Sequence, residues 1–216
     1  MYEPIVIRSG PENHRDRSSR GLLLCDRDGV IIEDRPGFVR SAADVVLVPG
    51  AVEALVSAGE QGFPTVIVSN QSGIGRGILA VDEVVTLHLD LVAELRRAGA
   101  PILASFLCPH APGEGCECRK PSPRMLAAAI AQYGARPQQS AFVGDAREDM
   151  TAAVRAGVVP VLVQTGRGGR EAPFVRGDPG LVTVQLARDL GDAVNYLFRR
   201  LTPISHDIDK SVEKRQ

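Results

Sequence analysis

GLLLCDRDGV, residues 21–30, joins a short apolar run to two aspartates and a glycine. Because the run up to Cys25 is continuously apolar, it is typical of a strand that is buried on both faces, as in a parallel sheet. Asp26 and Asp28 would then lie just beyond the carboxyl end of this strand, where Gly29 supplies the backbone freedom of a tight turn. The segment therefore predicts a polar site at one edge of a sheet.

Four further runs of this kind alternate with segments of helical period, at residues 64–69, 102–107, 140–143 and 160–163. Helices are predicted over residues 51–60, 82–98, 149–156 and 189–200. One more is predicted to begin with Ser122 as N-cap and Pro123 in the first helical position, and to end at Gly134. The alternation predicts an α/β fold with a doubly wound parallel sheet, which binds ligands at the carboxyl ends of its strands.

Three polar stretches lie outside this pattern. We expect an irregular N-terminal segment over residues 1–20, irregular surface over residues 164–180 and a solvated C-terminal tail over residues 203–216. The remaining residues, 21–202, are long enough to form one domain with a core of ordinary size.

Composition limits the partners. The 216 residues carry 25 basic and 26 acidic side chains, a net charge of −1, which gives no footprint for nucleic acid or anionic lipid. No apolar run approaches the ~20 residues of a membrane span, and the N-terminus lacks the apolar core of a signal peptide. We expect a monomeric cytoplasmic protein that acts on a small molecule.

The ends of the other predicted strands carry groups that complement the two aspartates. Ser69 ends the second strand, Lys120 follows the third, and Asp145 follows the fourth. A carboxylate can attack phosphorus only if the repulsion between two anions is offset, and Mg²⁺ together with a lysine supplies that positive charge. The set predicts phosphoryl transfer through an aspartyl phosphate.

Each group has a role in that chemistry. Asp26 would be the nucleophile, and Asp28 would protonate the leaving alkoxide and then deprotonate the water that cleaves the acyl phosphate. Ser69 would form a hydrogen bond with the phosphoryl oxygens, and Lys120 would neutralise their charge. Asp145 would hold Mg²⁺ beside Asp26. We expect that removal of the Lys120 side chain lowers turnover with little change in folding.

A cysteine-rich loop precedes the lysine. LCPHAPGEGCECRKP, residues 107–121, holds three of the four cysteines and one histidine in the pattern C-x-H-x5-C-x-C. This pattern suits a metal better than a disulfide framework, because Cys116 and Cys118 are too close to link much chain. The thiols are therefore expected to be reduced.

Four motifs together resemble the haloacid dehalogenase superfamily over roughly residues 21–165: DRDG at 26–29, VSN at 68–70, RKP at 119–121 and GDxxxD at 144–149. The resemblance implies a phosphatase because of Asp28, and assigns Mg²⁺ to Asp26, the main-chain carbonyl of Asp28, and Asp145. Asp149 would either support the metal or cap the next helix, and both readings stay open. The spacing of the motifs leaves no room for a cap domain.

The segment NQSGIGRG at 70–77 and the cysteine-rich loop narrow the resemblance to phosphatases of heptose 1,7-bisphosphate and, less closely, of histidinol phosphate. In both groups the loop holds a structural zinc, whose ligands here would be Cys108, His110, Cys116 and Cys118. These fill a tetrahedral shell and leave no position for substrate. The loop would then act as a brace that positions Lys120.

The resemblance also implies substrate contacts. Asn70 and Arg119 would contact the sugar or its second phosphate, while Arg76 either reaches a distal phosphate or is a solvated loop residue. Ala146 stands where many heptose enzymes have Lys or Ser, so a side-chain contact near the metal is missing.

Other interpretations remain. A phosphotransferase would pass the phosphoryl group to a sugar hydroxyl, and a non-catalytic phosphate-sensing protein would have no reason to keep Asp28 and Lys120. His88 falls on the apolar stripe of its predicted helix and is read as a packed core residue. Cys25, at the end of a buried strand, is read as a small hydrophobe.

Overall fold

The chain forms a seven-stranded sheet with the strand order β1-β4-β3-β2-β5-β6-β7. The computed structural model describes residues 3–9 and 21–201. The strands are β1 Ile5–Arg8, β2 Leu23–Cys25, β3 Thr65–Asn70, β4 Ile102–Cys108, β5 Ala141–Gly144, β6 Val159–Val163 and β7 Gln185–Ala187. The helices are α1 Ala51–Glu60, α2 Ser72–Gly75, α3 Val81–Arg97, α4 Arg124–Tyr133, α5 Arg147–Ala156, α6 Gly168–Arg176 and α7 Leu190–Leu201.

The strand order places β2 at the topological switch point of the sheet. Strands β2 to β7 pair in parallel, and the chain winds from β2 to β3 and β4 on one side, then to β5, β6 and β7 on the other. Ligands of open α/β sheets bind at such a point, beyond the carboxyl ends of the strands. The residues that follow β2 therefore lie where a ligand is expected.

Two apolar layers cover the sheet because the strand side chains alternate between its faces. Leu23 and Cys25 pack in one buried cluster with helices α1, α3 and α7. Leu22 and Leu24 pack in the other with α4 and α5. Cys25 is fully buried in this cluster, as expected of a small core side chain, and burial raises the pKa of its thiol.

The predicted helices are present, with shifted ends. Helix α1 has the predicted bounds, and Gly134 ends α4 in a left-handed conformation with φ of 60°. Helix α4 begins at Arg124, one residue later than predicted, and Pro123 is the residue before it. The Oγ of Ser122 still accepts the main-chain N–H of Arg124 at 3.3 Å, as predicted for a capping residue. The hydroxyl of Ser122 donates to the carbonyl of Glu117, so the turn from the cysteine-rich loop continues into Pro123.

Two segments that were predicted to be irregular contain regular structure. Within residues 1–20, Ile5–Arg8 forms edge strand β1, which pairs antiparallel with β4, so the sheet is mixed and not wholly parallel. Within residues 164–180, helix α6 packs Ala172 and Val175 against Leu162. Glycines and a proline hide its apolar period in the sequence. Residues 10–20 and the predicted tail, 203–216, lie outside the described residues.

The connections between strands leave the site open. After β2 a loop leads into α1, and after β3 the short α2 and the long α3 return to β4. No domain is inserted between the described strands, as the motif spacing predicted. None of the helices in the described part of the chain has both the length and the apolar character to cross a membrane.

Candidate active site

Lys120 joins two carboxylates at the centre of the site. Its Nζ lies 2.7 Å from Oδ2 of Asp26 and 2.8 Å from Oδ1 of Asp149, and it also donates to the carbonyl of Val68. Burial alone would lower the pKa of Lys120, but the two carboxylates outweigh it and raise the pKa above its usual value. The lysine is therefore held as a cation beside Asp26.

Asp26 follows β2 directly and is buried at the floor of the cavity. Its Oδ1 accepts a hydrogen bond from the main-chain N–H of Arg27 at 2.7 Å. Burial raises the pKa of Asp26, the ammonium of Lys120 opposes that change, and the neighbouring Asp149 and Asp28 reinforce it. A metal ion or a second cation at this position would favour the ionised carboxylate.

Asp28 belongs to a network that the sequence did not predict. The Nη2 of Arg27 contacts Oδ1 of Asp28 at 2.9 Å and Oε1 of Gln71 at 3.0 Å. The Nε2 of Gln71 donates to Oδ2 of Asp28 and to Oγ of Ser69, both at 3.0 Å. Burial would raise the pKa of Asp28, but Arg27 and Gln71 hold it below its usual value.

Asp145 follows β5 and is fully buried. Burial, Asp149 and Asp26 raise the pKa of Asp145 to about 7. Arg167, which sequence reasoning also missed, contacts both of its oxygens: the main-chain N–H lies 2.8 Å from Oδ2, and Nη2 lies 3.4 Å from Oδ1. A Cβ on Gly29 would come within 2.2 Å of Oδ2, so the turn requires glycine there.

Asp149 performs two structural tasks. Its Oδ2 accepts the main-chain N–H groups of Asp145 and Ala146 at 3.2 and 3.1 Å, which caps helix α5, while Oδ1 pairs with Lys120. A Cβ on Gly144 would lie 2.4 Å from the Cβ of Asp149, so glycine permits this approach. The aspartate thus links the cap of a helix to the buried lysine.

Three of these carboxylates form a set that fits Mg²⁺. Asp26, Asp145 and Asp149 each offer an oxygen, and the three oxygens lie within 4.8 Å of one another. Mg²⁺ prefers hard oxygen ligands and is held by few protein groups. The donor chemistry therefore suits this ion.

The four predicted zinc ligands also converge. The Sγ of Cys108 lies 3.8 Å from that of Cys116 and 3.2 Å from that of Cys118, and Nδ1 of His110 lies 3.4 and 3.3 Å from Cys108 and Cys118. A tetrahedral zinc with bonds of about 2.3 Å to sulfur holds such atoms about 3.8 Å apart. The four donor atoms therefore lie at or slightly inside the spacing of a closed zinc shell, and their chemistry suits that ion.

The cysteine-rich loop is tied to the end of β3. Asn70 donates from Nδ2 to the carbonyl of Lys120 at 3.2 Å and accepts the N–H of Lys120 on Oδ1 at 3.1 Å. Arg119 donates to the carbonyl of His110 at 3.2 Å. Asn70 thus engages both ends of its amide with the main chain of Lys120, although it was expected to contact substrate.

A cavity of about 260 Å³ opens over these groups. The sequence-predicted residues that line it are Asp26, Asp28, Ser69, Asn70, Arg119, Lys120 and Asp149. Asp145 is fully buried and is not among the lining residues. Arg76 is exposed at the end of α2 and is not among the lining residues. Further lining comes from the loop after β2 and from Arg27, Gln71, Glu148 and Arg167.

Comparison with known proteins gives one consistent result. The HAD-hydrolase-like family model matches residues 117–188. D-glycero-β-D-manno-heptose-1,7-bisphosphate 7-phosphatase of Pseudomonas putida is 39% identical over 149 residues, 69% of this chain and 85% of that protein. The Neisseria meningitidis protein of the same name is 36% identical over 147 residues, 68% of this chain and 79% of that protein.

Solved structures agree. D,D-heptose 1,7-bisphosphate phosphatase from B. bronchiseptica, complexed with magnesium and phosphate, has a TM-score of 0.77 and 31% identity, and the match covers 83% of this chain and 99% of that one. A HAD-like protein from Mesorhizobium loti has a TM-score of 0.74 and 27% identity, and the match covers 92% of this chain and 93% of that one.

The fold, the motifs and these matches define a phosphatase of the haloacid dehalogenase class of hydrolases. With this identity over most of both chains, the protein belongs to the family of the heptose-1,7-bisphosphate 7-phosphatases.

Proposed function

We propose that the protein hydrolyses D-glycero-D-manno-heptose 1,7-bisphosphate, removes the 7-phosphate, and does so through an aspartyl phosphate on Asp26. The observation that carries the mechanism is the 2.7 Å contact between Asp26 Oδ2 and Lys120 Nζ on the floor of an open cavity. A nucleophile with a fixed cation beside it matches the charge that develops on a transferring phosphoryl group. The names of the relatives support the choice of sugar.

In the first half-reaction an oxygen of Asp26 forms a bond to phosphorus while the bond from phosphorus to the sugar oxygen breaks. Asp28 gives its proton to the leaving alkoxide, then takes a proton from the water that hydrolyses the aspartyl phosphate. Gln71 and Arg27 fix the Asp28 carboxyl for both transfers. A phosphate dianion in the cavity adds negative charge beside Asp28 and favours its protonated form.

The remaining groups hold the phosphoryl oxygens. Lys120 balances their charge, and Ser69 accepts a hydrogen bond from Gln71, which leaves its own proton for a phosphoryl oxygen. Asp26, the main-chain carbonyl of Asp28, and Asp145 would hold Mg²⁺, with Asp149 close behind. When bound, Mg²⁺ supplies positive charge that offsets the repulsion between carboxylate and phosphate.

The zinc has no part in the chemistry in this proposal. Cys108, His110, Cys116 and Cys118 would enclose it, which leaves no coordination position for water or substrate. The zinc would hold the loop rigid up to Cys118, and the hydrogen bonds from the Asn70 side chain to the main chain of Lys120 would then fix the lysine.

Parallel turnover measurements test the proposal. We expect Mg²⁺-dependent release of phosphate from the heptose bisphosphate, with the 1-phosphate left on the sugar in the ³¹P NMR spectrum. A higher kcat/KM on histidinol phosphate than on the heptose bisphosphate would show that the proposed substrate is wrong, and would leave the proposed mechanism unchanged. Phosphate binding without turnover on either compound would favour a phosphate-sensing protein, and transfer to a sugar hydroxyl would favour a phosphotransferase.

A further inference from the structure

The cavity carries more positive side chains than the mechanism has used. They are Arg27, Arg35, Arg119, Lys120 and Arg167. Lys120 is committed to its two carboxylates, and Arg27 to Asp28 and Gln71. Arg35 pairs with Asp44 at the rim, with Nη1 3.1 Å from Oδ1.

Arg167 differs in how it is held. Its main-chain N–H donates a hydrogen bond of 2.8 Å to Asp145. Its guanidinium makes only a long contact of 3.4 Å with the same carboxylate, and 45% of its side chain is exposed to the cavity and solvent. The backbone is thus anchored while the charged end remains accessible to a ligand.

The loop that carries Arg167 packs against the turn that follows β2. Thr165 Oγ1 donates to the carbonyl of Gly29 at 2.6 Å. Gly166 has φ of 56°, and a Cβ there would lie 2.4 Å from Asp145 Oδ2 and 2.5 Å from the Cα of Gly29. This close fit fixes the main chain of Arg167 beside Gly29 and Asp145, so little ordering is required when a ligand binds.

The loop that follows β5 contributes no cationic side chain to this side of the cavity. Ala146, which lines the cavity, has no polar side-chain atom, and Arg147 pairs with Asp178 instead, with Nη2 2.6 Å from Oδ2. Glu148 and Asp149, which also line the cavity, make this side acidic. Arg167 is placed to offset this negative charge.

We propose that Arg167 is a catalytic residue that donates hydrogen bonds to an oxygen of the transferring phosphoryl group. The inference rests on the proposed phosphatase function. A guanidinium matches phosphate oxygens and can contact two at once, so it suits this position better than a lysine would. The cation reaches the site from the loop after β6 and not from the residue after Asp145.

The test uses inorganic phosphate as the probe, because it lacks the sugar and the second phosphate. Its binding to the full-length protein is measured by calorimetry at saturating Mg²⁺, for wild type and for Arg167→Ala, Arg167→Lys and Arg170→Ala. Arg170 is an exposed arginine in the first turn of helix α6, which begins directly after Arg167, and it does not line the cavity, so its variant is a matched control.

We expect Arg167→Ala to weaken phosphate binding by about 10- to 100-fold, the usual range for a lost charge-assisted hydrogen bond. Arg167→Lys should lie between it and wild type, and Arg170→Ala should equal wild type. The Kd of Mg²⁺, titrated without phosphate, separates contact from positioning. A changed Mg²⁺ affinity with unchanged phosphate affinity would show that Arg167 acts only through Asp145, and would overturn the proposal.

Turnover of the bisphosphate and of an aryl phosphate distinguishes the remaining outcomes. Equal losses of kcat/KM on both substrates support contact with the transferring phosphoryl group. A loss confined to the bisphosphate would move Arg167 to the second phosphate and overturn the proposal as stated. If wild type binds phosphate and turns over neither substrate, the proposed function fails, whereas the phosphate affinities still decide the role of Arg167.

Discussion

Lys120 and Asp26 form an ion pair of 2.7 Å between side chains that are 1% and 8% exposed. A second carboxylate, that of Asp149, lies 2.8 Å from the same ammonium. Removal of one member of a buried charged group leaves the others without compensation, which costs far more than the loss of a surface pair. The lysine is therefore part of the folded core as well as of the site.

The expectation that Lys120 could be removed with little change in folding must be revised. We predict that Lys120→Ala and Lys120→Met abolish most turnover and lower the free energy of unfolding by about 3–5 kcal/mol in Mg²⁺-free buffer. Urea unfolding measures the loss. Adding Asp149→Asn to Lys120→Met should cost less than the sum of the two single changes, because the double variant removes an uncompensated charge. Additive costs would contradict this coupling.

The nucleophile is tested by Asp26→Asn. We expect turnover to fall by several orders of magnitude at saturating Mg²⁺, because the covalent step needs a carboxylate. Beryllium fluoride should occupy the wild-type site, detected by ¹⁹F NMR, and should not occupy the variant. Asp90→Asn, an exposed change on α3, is the control. More than a tenth of wild-type activity in Asp26→Asn would rule out the covalent mechanism.

Most of the candidate site could be predicted from sequence because it lies at strand ends. Short apolar runs locate the strands, and parallel pairing brings their carboxyl ends together. Asp26 and Asp145 directly follow β2 and β5, and Ser69 is the second-last residue of β3. The four candidate zinc ligands could be predicted to lie together because their spacing in the sequence is local.

The missed residues depend on contacts that no local pattern contains. Arg27 lies between two aspartates, and only the folded turn buries its guanidinium against Gln71. Gln71 lies in a helical turn of four residues, too short to have a period. Arg167 was hidden because Gly168, Gly169 and Pro173 mask the start of α6.

Two glycines offer a matched test of how Asp145 is positioned. Gly29 and Gly50 have φ of 80° and 79°, so alanine at either position has the same left-handed strain, about 1–2 kcal/mol. A Cβ at Gly29 would lie 2.2 Å from Asp145 Oδ2, whereas nothing lies within 4 Å of a Cβ at Gly50. We predict a larger fall of the thermal midpoint in Gly29→Ala than in Gly50→Ala, because the clash with Asp145 adds to the shared strain, and loss of kcat and weaker Mg²⁺ binding in Gly29→Ala alone. Equal activity of the two variants would show that Asp145 need not be held this closely.

The cysteine-rich loop is tested by Cys116→Ser, with Cys25→Ala as the control because Cys25 is the one cysteine outside the loop. We expect about one zinc per wild-type chain by elemental analysis, retained in Cys25→Ala and lost or weakened in Cys116→Ser. Since a structural zinc contributes to folding free energy, Cys116→Ser should also lower the thermal midpoint, and kcat should fall because Lys120 is less well positioned.

A zinc that took part in the chemistry predicts a different result. The Cys116→Ser protein would then be stable and have a shifted pH–rate profile, because a water bound to the zinc at the opened position would become more acidic. Measuring zinc content, thermal midpoint and pH–rate profile on the same preparations separates the two roles, and a stable, zinc-free and fully active Cys116→Ser protein would exclude both.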